Sequence, residues 1–189
     1  MLCSRNPNKL EELRAALHGW EVGLLDGDGY PPEDGETYYA NARGKAVYGR
    51  TVAPVDAWVL GEDSGIEVDA LCGAPGVQSA RWADAGRQDL ALLERLGSEA
   101  DRRARMIAHL VAIGPDGREV DAVGVLDGEV ATERRGTGGF GYDPVFVPEG
   151  ETRTVAELGD DWKRANSHRA RAADALRAAL TAALQDRRS

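Results

Sequence analysis

Two adjacent carboxylates, Glu62 and Asp63, are the residues of this chain whose type and position best suit chemistry. They follow the apolar run 57–60 and precede Ser64 and Gly65. A short apolar run is typical of a buried strand, and polar residues after such a strand lie where an α/β sheet opens to a ligand. The same residue types also form ordinary acidic turns. The pattern therefore indicates either negative charge at a ligand site or a turn.

The polar segment 4–9 precedes a predicted helix over 8–17. Pro7 suits the first turn of that helix. Backbone N–H groups at a helix N-terminus carry partial positive charge, so the segment could bind phosphate oxygens, although an ordinary capped helix start would give the same pattern. The chain has no Gly-x-x-x-x-Gly-Lys-Ser/Thr signature, which excludes an ordinary P-loop. The side chains that could add donors are those of Ser4, Asn6 and Lys9.

A glycine-rich loop, 136–141, formally matches the Gly-x-Gly-x-x-Gly pattern of dinucleotide-binding proteins. That pattern must open a helix, whereas here Tyr142, Asp143 and the strand-like run 145–147 follow. The loop instead presents Phe140, which could stack on a base, near Asp143, which could accept a hydrogen bond from a ring N–H. A glycine-rich turn around a core phenylalanine is the alternative interpretation.

The last predicted helix begins near Ser167, a residue type that suits an N-cap. His168 and Arg169 would then lie at the helix start, where donors suit carbonyl or phosphate oxygens. A solvated helix start would give the same sequence. His109 differs, because it lies among apolar residues of a predicted strand, and a hydrogen-bonded core histidine is the favoured interpretation there.

Periodicity and turn residues predict an α/β fold whose sheet is mixed. The Gly-Pro-Asp-Gly turn indicates an antiparallel pair within that sheet. The predicted elements beyond those above are a short strand at 1–4, a strand at 21–25, a short strand or extended segment at 66–71, helices over 36–50 and 89–96, and a hairpin of 106–113 and 120–126 around the turn 114–117.

The composition is that of a soluble globular protein, with 42% hydrophobic and 29% charged residues. A length of 189 residues suits one domain, or two lobes that share a core. No apolar run is long enough to cross a membrane, and the N-terminus lacks the apolar stretch of a secretory signal, so we expect a cytoplasmic protein. Cys3 and Cys72 form no Cys-x-x-Cys pair, and neither a disulfide framework nor a zinc site is predicted.

The charge balance is acidic, with 23 basic and 32 acidic residues and a net charge of −9 at pH 7. This balance disfavours polymeric nucleic acid as a partner, because such binding needs a basic surface. A small phosphorylated ligand is still compatible with it. Such a ligand needs only a few local cations and a divalent metal ion between the acidic protein and the acidic ligand.

Five motifs taken in order resemble the inosine triphosphate pyrophosphatase family, also called Ham1-like, over nearly the whole chain. They are 4–12, 62–71, 73–81, 138–144 and Lys163 with 167–169. The resemblance implies a two-lobed α/β protein with a long central mixed sheet flanked by helices, usually a homodimer, with the nucleotide in the cleft between the lobes. It also implies Mg²⁺-dependent hydrolysis of inosine, deoxyinosine or xanthosine triphosphate to the monophosphate and pyrophosphate.

The resemblance also implies a role for each matching residue. Asp63 would hold Mg²⁺ and activate water, and Lys9 would neutralise phosphate charge during catalysis. Phe140 would stack on the base, and cationic donors facing the 6-oxo group would reject adenine, whose amino group would leave them unpaired. The implied substrate-binding residues are Ser4, Arg5, Asn6, Pro7, Asn8, Lys9, Ser64, Phe140, Gly141, Tyr142, Asp143, Lys163, His168 and Arg169, of which the last three would face the base edge.

The chain departs from the family pattern at the second metal-binding carboxylate. Relatives usually have Glu-Asn-Ala after the acidic loop, whereas this chain has Ala40 in the first position. Glu36 or Glu62 could replace the missing metal ligand. The departure leaves three alternatives: a working enzyme with an altered metal site, a nucleotide-binding protein with lost or weakened hydrolysis, or a pyrophosphatase specialised for a modified nucleotide. Arg164 after the lysine, and Glu62 in place of the usual Asp, are milder departures.

Overall fold

Five strands form one mixed sheet in the computed structural model, which describes residues 1–26 and 29–185. Within that part of the chain, the strand order in the sheet follows the sequence. β1 pairs with β2 in parallel and β4 pairs with β5 antiparallel, which confirms the predicted α/β class with a mixed sheet. The strands are β1 (Leu2–Cys3), β2 (Val59–Val68), β3 (Arg103–Ile113), β4 (Glu119–Val130) and β5 (Phe146–Pro148).

The α-helices of the described residues are α1 (Pro7–Ala16), α2 (Tyr38–Val52), α3 (Gln88–Leu96), α4 (Val155–Asn166) and α5 (His168–Gln185). The helices predicted over 8–17, 36–50 and 89–96 correspond to α1, α2 and α3, with ends that differ by at most two residues. Capping explains where α1 and α2 start, because the side chain of Asn6 accepts from the first turn of α1 and that of Thr37 from the first turn of α2. Each described helix is too short or too polar to cross a lipid bilayer.

Strand β2 corrects the prediction that Glu62 and Asp63 follow the end of a strand. The strand continues through both carboxylates to Val68, so they lie within a ten-residue strand. The run looked like a turn because it is polar and contains two glycines, but both carboxylates are buried beside cations from distant parts of the chain. Because these cations are distant in sequence, the residues around Glu62 and Asp63 give no indication that the strand continues through them.

The strand predicted at 21–25 is wrong as a full strand. The structure has only an isolated parallel bridge between Leu2 and Leu24. Two backbone hydrogen bonds flank it, from the N–H of Leu2 to the carbonyl of Gly23 and from the N–H of Leu25 to the carbonyl of Leu2. The segment is extended beside β1, but β1 has two residues and can support no longer ladder. The predicted hairpin is confirmed as β3 and β4, both longer than expected.

The chain divides into two compact units. Unit 1 contains residues 1–63, 108–124 and the segment from Arg169 onward, and unit 2 contains residues 64–107 and 125–168. Unit 1 has a core around Leu2, Leu13 and Leu176, in which α1 and α5 pack on strand residues. Unit 2 has a core around Ile66, Leu92 and Phe146. That the units together make one domain with two lobes stays a prediction.

The structure shows the contacts of His109 and how far Cys3 and Cys72 are buried. His109 on β3 has its Nε2 2.8 Å from a carboxylate oxygen of Asp121 on β4, and its ring lies 5.2 Å from that of Tyr39. The hydrogen bond predicted for His109 is therefore present, but the residue is half-buried and its partner Asp121 is exposed, so it is not the core histidine that was predicted. Both cysteines are free thiols, as expected; Cys3 is buried, which raises its pKa to about 11, and Cys72 is exposed.

Candidate active site

The segment 4–9 folds into a loop that is fixed by its own side chains. The hydroxyl oxygen of Ser4 accepts from the N–H of Asn6 at 3.1 Å, and the side-chain oxygen of Asn6 accepts from the N–H of Asn8 at 3.0 Å. Pro7 is the first residue of α1, so the loop leads directly into a helix N-terminus. The Arg5 guanidinium lies 4.9 Å from the centre of the Tyr30 ring. The arrangement suits an anion at the start of α1.

Glu62 lies at the centre of a buried charge network in unit 1, which we call the Glu62 network. Its carboxylate oxygens lie 2.6 Å from Lys9 Nζ and 2.9 Å from Arg169 Nε. Arg169 Nη1 also donates to Glu12 at 3.0 Å. Burial by itself would raise the pKa of Glu62, but Lys9, Arg169 and Lys45 hold it well below its usual range. The network joins β2 to α1 and α5 and keeps Glu62 ionised.

Asp63 faces helix α2, in a group that we call the Asp63 cluster. Asn41 Nδ2 donates to one carboxylate oxygen at 2.9 Å, and Lys45 Nζ lies 3.5 Å from the other. Lys45 also donates to the backbone carbonyl of Glu62 at 2.8 Å and forms an ion pair with Glu33. Burial raises the pKa of Asp63, while Lys45 and Asn41 oppose that rise. A buried carboxylate held in this way suits a group that orients and deprotonates water.

The Asp63 cluster contains two residues that the sequence analysis did not identify as functional. Asn41 and Lys45 are four residues apart on α2, so they share one helix face, and both are buried. The spacing was visible in the sequence, but nothing local to it showed that the face meets Asp63. Glu12 and Glu33 were missed for the same reason, since each is recognised only through its cationic partner.

Three residues form a second group in unit 2, the Phe140 cluster. Lys163 Nζ lies 4.0 Å from the centre of the Phe140 ring and donates to Asp143. The same Asp143 oxygen accepts from the N–H of Phe140 at 2.7 Å. Asp143 and Lys163 are buried, while Phe140 is only half-buried. The ammonium lies over the aromatic ring, and a ring combined with a cation suits a planar ligand with a polar edge.

A glycine is required in the loop that leads to this cluster. Gly139 has a φ of +71°, and a Cβ there would lie 2.1 Å from a carboxylate oxygen of Asp143. A side chain would therefore clash with the group that anchors Lys163. The glycine-rich sequence thus allows the backbone to pass close to Asp143.

Tyr142 belongs to the core of unit 2. Its ring is buried and its hydroxyl donates to the carbonyl of Ser79 at 2.8 Å. Burial raises the pKa of Tyr142 well above its usual value. Ser79 in turn accepts from the N–H of Ile66 at 2.9 Å, so Tyr142 helps to hold the segment that follows Ser64. The hydroxyl of Tyr142 is therefore used inside the protein.

The remaining predicted residues differ in exposure. Gly141 is exposed and Ser64, on β2, is half-buried. His168 is the buried first residue of α5. The structure thus groups Lys9 with Arg169 in unit 1 and Phe140 with Asp143 and Lys163 in unit 2. Arg169, which was expected to face the base edge with Lys163, is held by the Glu62 network.

The carboxylates permit a test of the metal site that the resemblance implies. Residues 1–26 and 29–185 contain no group of three or more His, Cys, Asp or Glu side chains that could together hold a metal ion. Glu33 and Asp63 both pair with the Lys45 ammonium, so two carboxylates converge there. Mg²⁺ commonly binds one or two carboxylates together with substrate phosphates, and this donor set fits that pattern. Both oxygens of Glu62 face cations, and Glu36 is exposed before α2, so neither fits as well.

Comparison with known proteins gives one consistent result. Residues 1–179 match the model of the Ham1 family. A dITP/XTP pyrophosphatase of Deinococcus deserti is 41% identical over 184 residues, which cover 95% of this chain and 88% of that protein. One of Symbiobacterium thermophilum is 44% identical over 179 residues, with 91% and 89% covered.

Solved structures agree with the sequence comparison. The Ham1 protein of Staphylococcus aureus is 33% identical, with a TM-score of 0.83 over 96% of this chain and 97% of its own. The nucleoside-triphosphatase, dITP/XTP pyrophosphatase, of Mycobacterium abscessus is 36% identical, with a TM-score of 0.71 over 97% and 95% of the two chains. The α/β sheet with flanking helices is thus common to this chain and these proteins.

Proposed function

The chain belongs to the Ham1 family, and on that premise we propose that it hydrolyses purine nucleoside triphosphates that carry hypoxanthine or xanthine, such as dITP and XTP. The products are the nucleoside monophosphate and pyrophosphate. The observation that carries the proposal is the Asp63 cluster, in which a buried carboxylate is held by Asn41 and Lys45 beside a second carboxylate, Glu33. The names of the relatives support the substrate class.

Unit 1 supplies the groups that suit the triphosphate and the reacting water. The N-terminus of α1 offers backbone N–H groups, and Lys9 offers an ammonium that Glu62 keeps in place. Asp63 orients a water molecule and accepts its proton as the water oxygen bonds to the α-phosphorus and the bond to the pyrophosphate oxygen breaks. Mg²⁺ held by Asp63 and Glu33 would neutralise phosphate charge and lower the pKa of the water.

Unit 2 supplies the groups that suit the base. Phe140 offers a ring face for stacking, and Lys163 offers a donor whose position is fixed by Asp143. Such a donor favours a 6-oxo purine, because the amino group of adenine would leave it unpaired. Since Arg169 is held by Glu62 and Glu12, we assign it to anchoring the Glu62 network.

A nucleotide panel tests the proposed function. Purified protein with Mg²⁺ is incubated with dITP, XTP, dATP and dGTP, and pyrophosphate and monophosphate are quantified. We expect kcat/KM for dITP and XTP to exceed that for dATP by about 100-fold or more, because the base donor would be left unpaired. Absence of turnover of dITP and XTP would show that the proposal is wrong.

Replacement of Asp63 tests the mechanism separately. Asp63→Asn keeps the shape of the side chain and its place between Asn41 and Lys45 but removes the base. We expect kcat to fall about 10²- to 10⁴-fold. Asp161→Asn, at a fully exposed position of α4, is the matched control and should retain activity. Full activity in Asp63→Asn would exclude this residue as the base while leaving the activity itself in place.

A nucleotide-binding protein without hydrolysis is the second candidate, and Ala40 is the observation that favours it. Ala40 is exposed in the first turn of α2, at the position where the family resemblance implies a metal-binding carboxylate. Calorimetric binding of inosine triphosphate without pyrophosphate release would support this candidate. If the protein is instead a pyrophosphatase specialised for a modified nucleotide, it should hydrolyse a modified nucleoside triphosphate added to the nucleotide panel and leave dITP unchanged.

A further inference from the structure

Gly61 lies where the backbone of helix α2 closely approaches strand β2. A Cβ built at Gly61 would lie 1.9 Å from the backbone carbonyl oxygen of Ala42 and 2.8 Å from the backbone nitrogen of Ala46. These are backbone atoms, so rotation of a side chain cannot relieve the clash. Any residue other than glycine would therefore move the helix away from the strand, by about 1 Å for alanine.

The atoms that Gly61 faces adjoin the two residues that hold Asp63. Ala42 follows Asn41, and Ala46 follows Lys45. Asn41 donates to Asp63 at 2.9 Å and Lys45 Nζ lies 3.5 Å from it, so a shift of about 1 Å would break both contacts. Asp63 is also only two residues beyond Gly61 on the same strand. The close helix contact and the catalytic carboxylate thus belong to one local structure.

We propose that Gly61 is a positioning residue, which sets the distance between α2 and β2 so that Asn41 and Lys45 hold Asp63 in its reactive orientation. The kinetic part of this inference rests on the proposed function. Gly61 itself touches neither substrate nor metal. It acts because the missing side chain allows the backbone of α2 to approach.

Gly61→Ala with the matched control Gly49→Ala tests the proposal. Gly49 also lies on α2, but a Cβ there would meet only side-chain atoms, of which the nearest are Leu25 Cδ2 at 3.3 Å and Val59 Cβ at 3.4 Å. We expect kcat for dITP to fall about 10- to 100-fold in Gly61→Ala, with KM changed less than about threefold, because a misplacement of about 1 Å at the catalytic group has an effect of this size. Gly49→Ala should stay within about twofold in both constants.

A second readout does not depend on turnover. The side-chain amide of Asn41 gives a nitrogen–proton NMR signal that can be assigned by its loss in Asn41→Ser. We expect this signal to move in Gly61→Ala toward its position in Asp63→Ala, and to stay in place in Gly49→Ala. Turnover failure of the wild-type protein would reject the proposed function alone, whereas an unmoved Asn41 signal in folded Gly61→Ala would overturn this inference.

A milder variant covers the case in which Gly61→Ala does not fold. Ala42→Ser adds one atom to the fully buried side chain of the helix residue whose backbone carbonyl faces Gly61. We expect the Asn41 signal to shift in the same direction and kcat to fall about two- to fivefold. An unmoved signal together with unchanged kcat in this variant would overturn the proposal.

Discussion

Glu62 is a buried carboxylate whose charge is balanced by Lys9 and Arg169. Glu62→Gln leaves two cations without their shared anion in a place that water barely reaches. We expect the free energy of unfolding to fall by about 3–5 kcal/mol, the usual cost of breaking a buried ion pair from one side. Urea denaturation followed by circular dichroism measures the change.

Glu67→Gln is the matched control for this substitution. Glu67 lies on the same strand and pairs with Arg105 at 2.8 Å, but the Arg105 side chain is 53% exposed. Exposed pairs contribute about 0.2–1 kcal/mol, so this variant should be nearly as stable as the wild type. An equal fall in the free energy of unfolding of the two variants would mean that burial does not increase the contribution of the Glu62 ion pairs to stability.

The lowered pKa of Glu62 predicts how the free energy of unfolding changes at acidic pH. Burial opposes ionisation of this carboxyl, but Lys9, Arg169 and Lys45 outweigh it and lower its pKa below the value in the unfolded chain. The unfolded chain therefore binds a proton first as the pH falls. The stabilisation is present above the unfolded pKa of about 4.3 and is lost as the pH falls below it.

We expect the free energy of unfolding of the wild-type protein to fall more steeply between about pH 5 and pH 3 than that of Glu62→Gln, which has no carboxyl at this position. Denaturation curves at several pH values measure both slopes. Parallel slopes for the two proteins would show that Glu62 does not titrate differently in the folded and unfolded states.

Motifs indicate candidate site residues more readily than they indicate what those residues contact. Lys9 and Asp63 were recognisable because their sequence neighbourhoods match family motifs. That Lys9 pairs with Glu62 was not predictable, because the two residues are joined only by the packing of α1 on β2. The same holds for Lys45, because its place on α2 does not indicate that it contacts Glu33, Asp63 and the backbone carbonyl of Glu62.

At the scale of elements, prediction succeeded where the hydrophobic pattern and the capping residues agree. Helix α1 and the hairpin of β3 and β4 have an apolar pattern with a cap or turn residues beside it, whereas α3 has no side-chain N-cap and ends at Gly97. Strand β2 was predicted as two pieces, one ending at Leu60 and one beginning at Ile66, because the stretch between them is polar and contains two glycines. Burial of charges within a strand depends on distant cations, and the local pattern holds no information about them.

The first turn of α4 begins with a capping box, and it precedes the non-helical residue Gly159 (φ 85°, ψ 176°) that separates it from the segment with Lys163. Thr154 accepts from the N–H of Glu157, Glu157 accepts from the N–H of Thr154, and the Thr154 hydroxyl donates to the carbonyl of Arg135 at 2.8 Å. Thr154→Ala removes the cap and the bond to Arg135. We expect a loss of about 1–2 kcal/mol in the free energy of unfolding.

Thr154→Ser keeps the hydroxyl and is the control, with an expected loss well below that of Thr154→Ala. Thermal and urea unfolding of both variants provide the comparison. Equal stability of Thr154→Ala and the wild type would mean that the capping box contributes nothing to α4.

At the scale of the whole molecule, the sequence predicted the fold class and the family but not the division of the site residues. The α/β class follows from the alternation of apolar runs and turn residues, and the family follows from five motifs in order. Which motif residues belong to which unit is a property of the tertiary structure. The homodimer implied by the family resemblance stays a prediction, which light scattering coupled to gel filtration would test.

The net charge of −9 predicts that the protein discriminates between a nucleotide and a polynucleotide. Three cations of the candidate site in unit 1 face carboxylates: Lys9 faces Glu62, Lys45 faces Asp63 and Glu33, and Arg169 faces Glu62 and Glu12. A short triphosphate can compete for such cations at one point, and Mg²⁺ can offset the repulsion there. A long polyanion would meet the acidic surface over its whole length.

We therefore expect a fluorescein-labelled single strand of about 20 nucleotides to show no saturable binding at low salt. This should hold at protein concentrations up to about 100 µM, where proteins that bind nucleic acid non-specifically are already bound. Fluorescence anisotropy measures this, and inosine triphosphate binding by calorimetry in the same buffer is the positive control. Saturable binding that weakens steeply with salt would contradict the prediction, because it would require a basic surface that releases counterions. Loss of both signals would point instead to a protein that is not folded under these conditions.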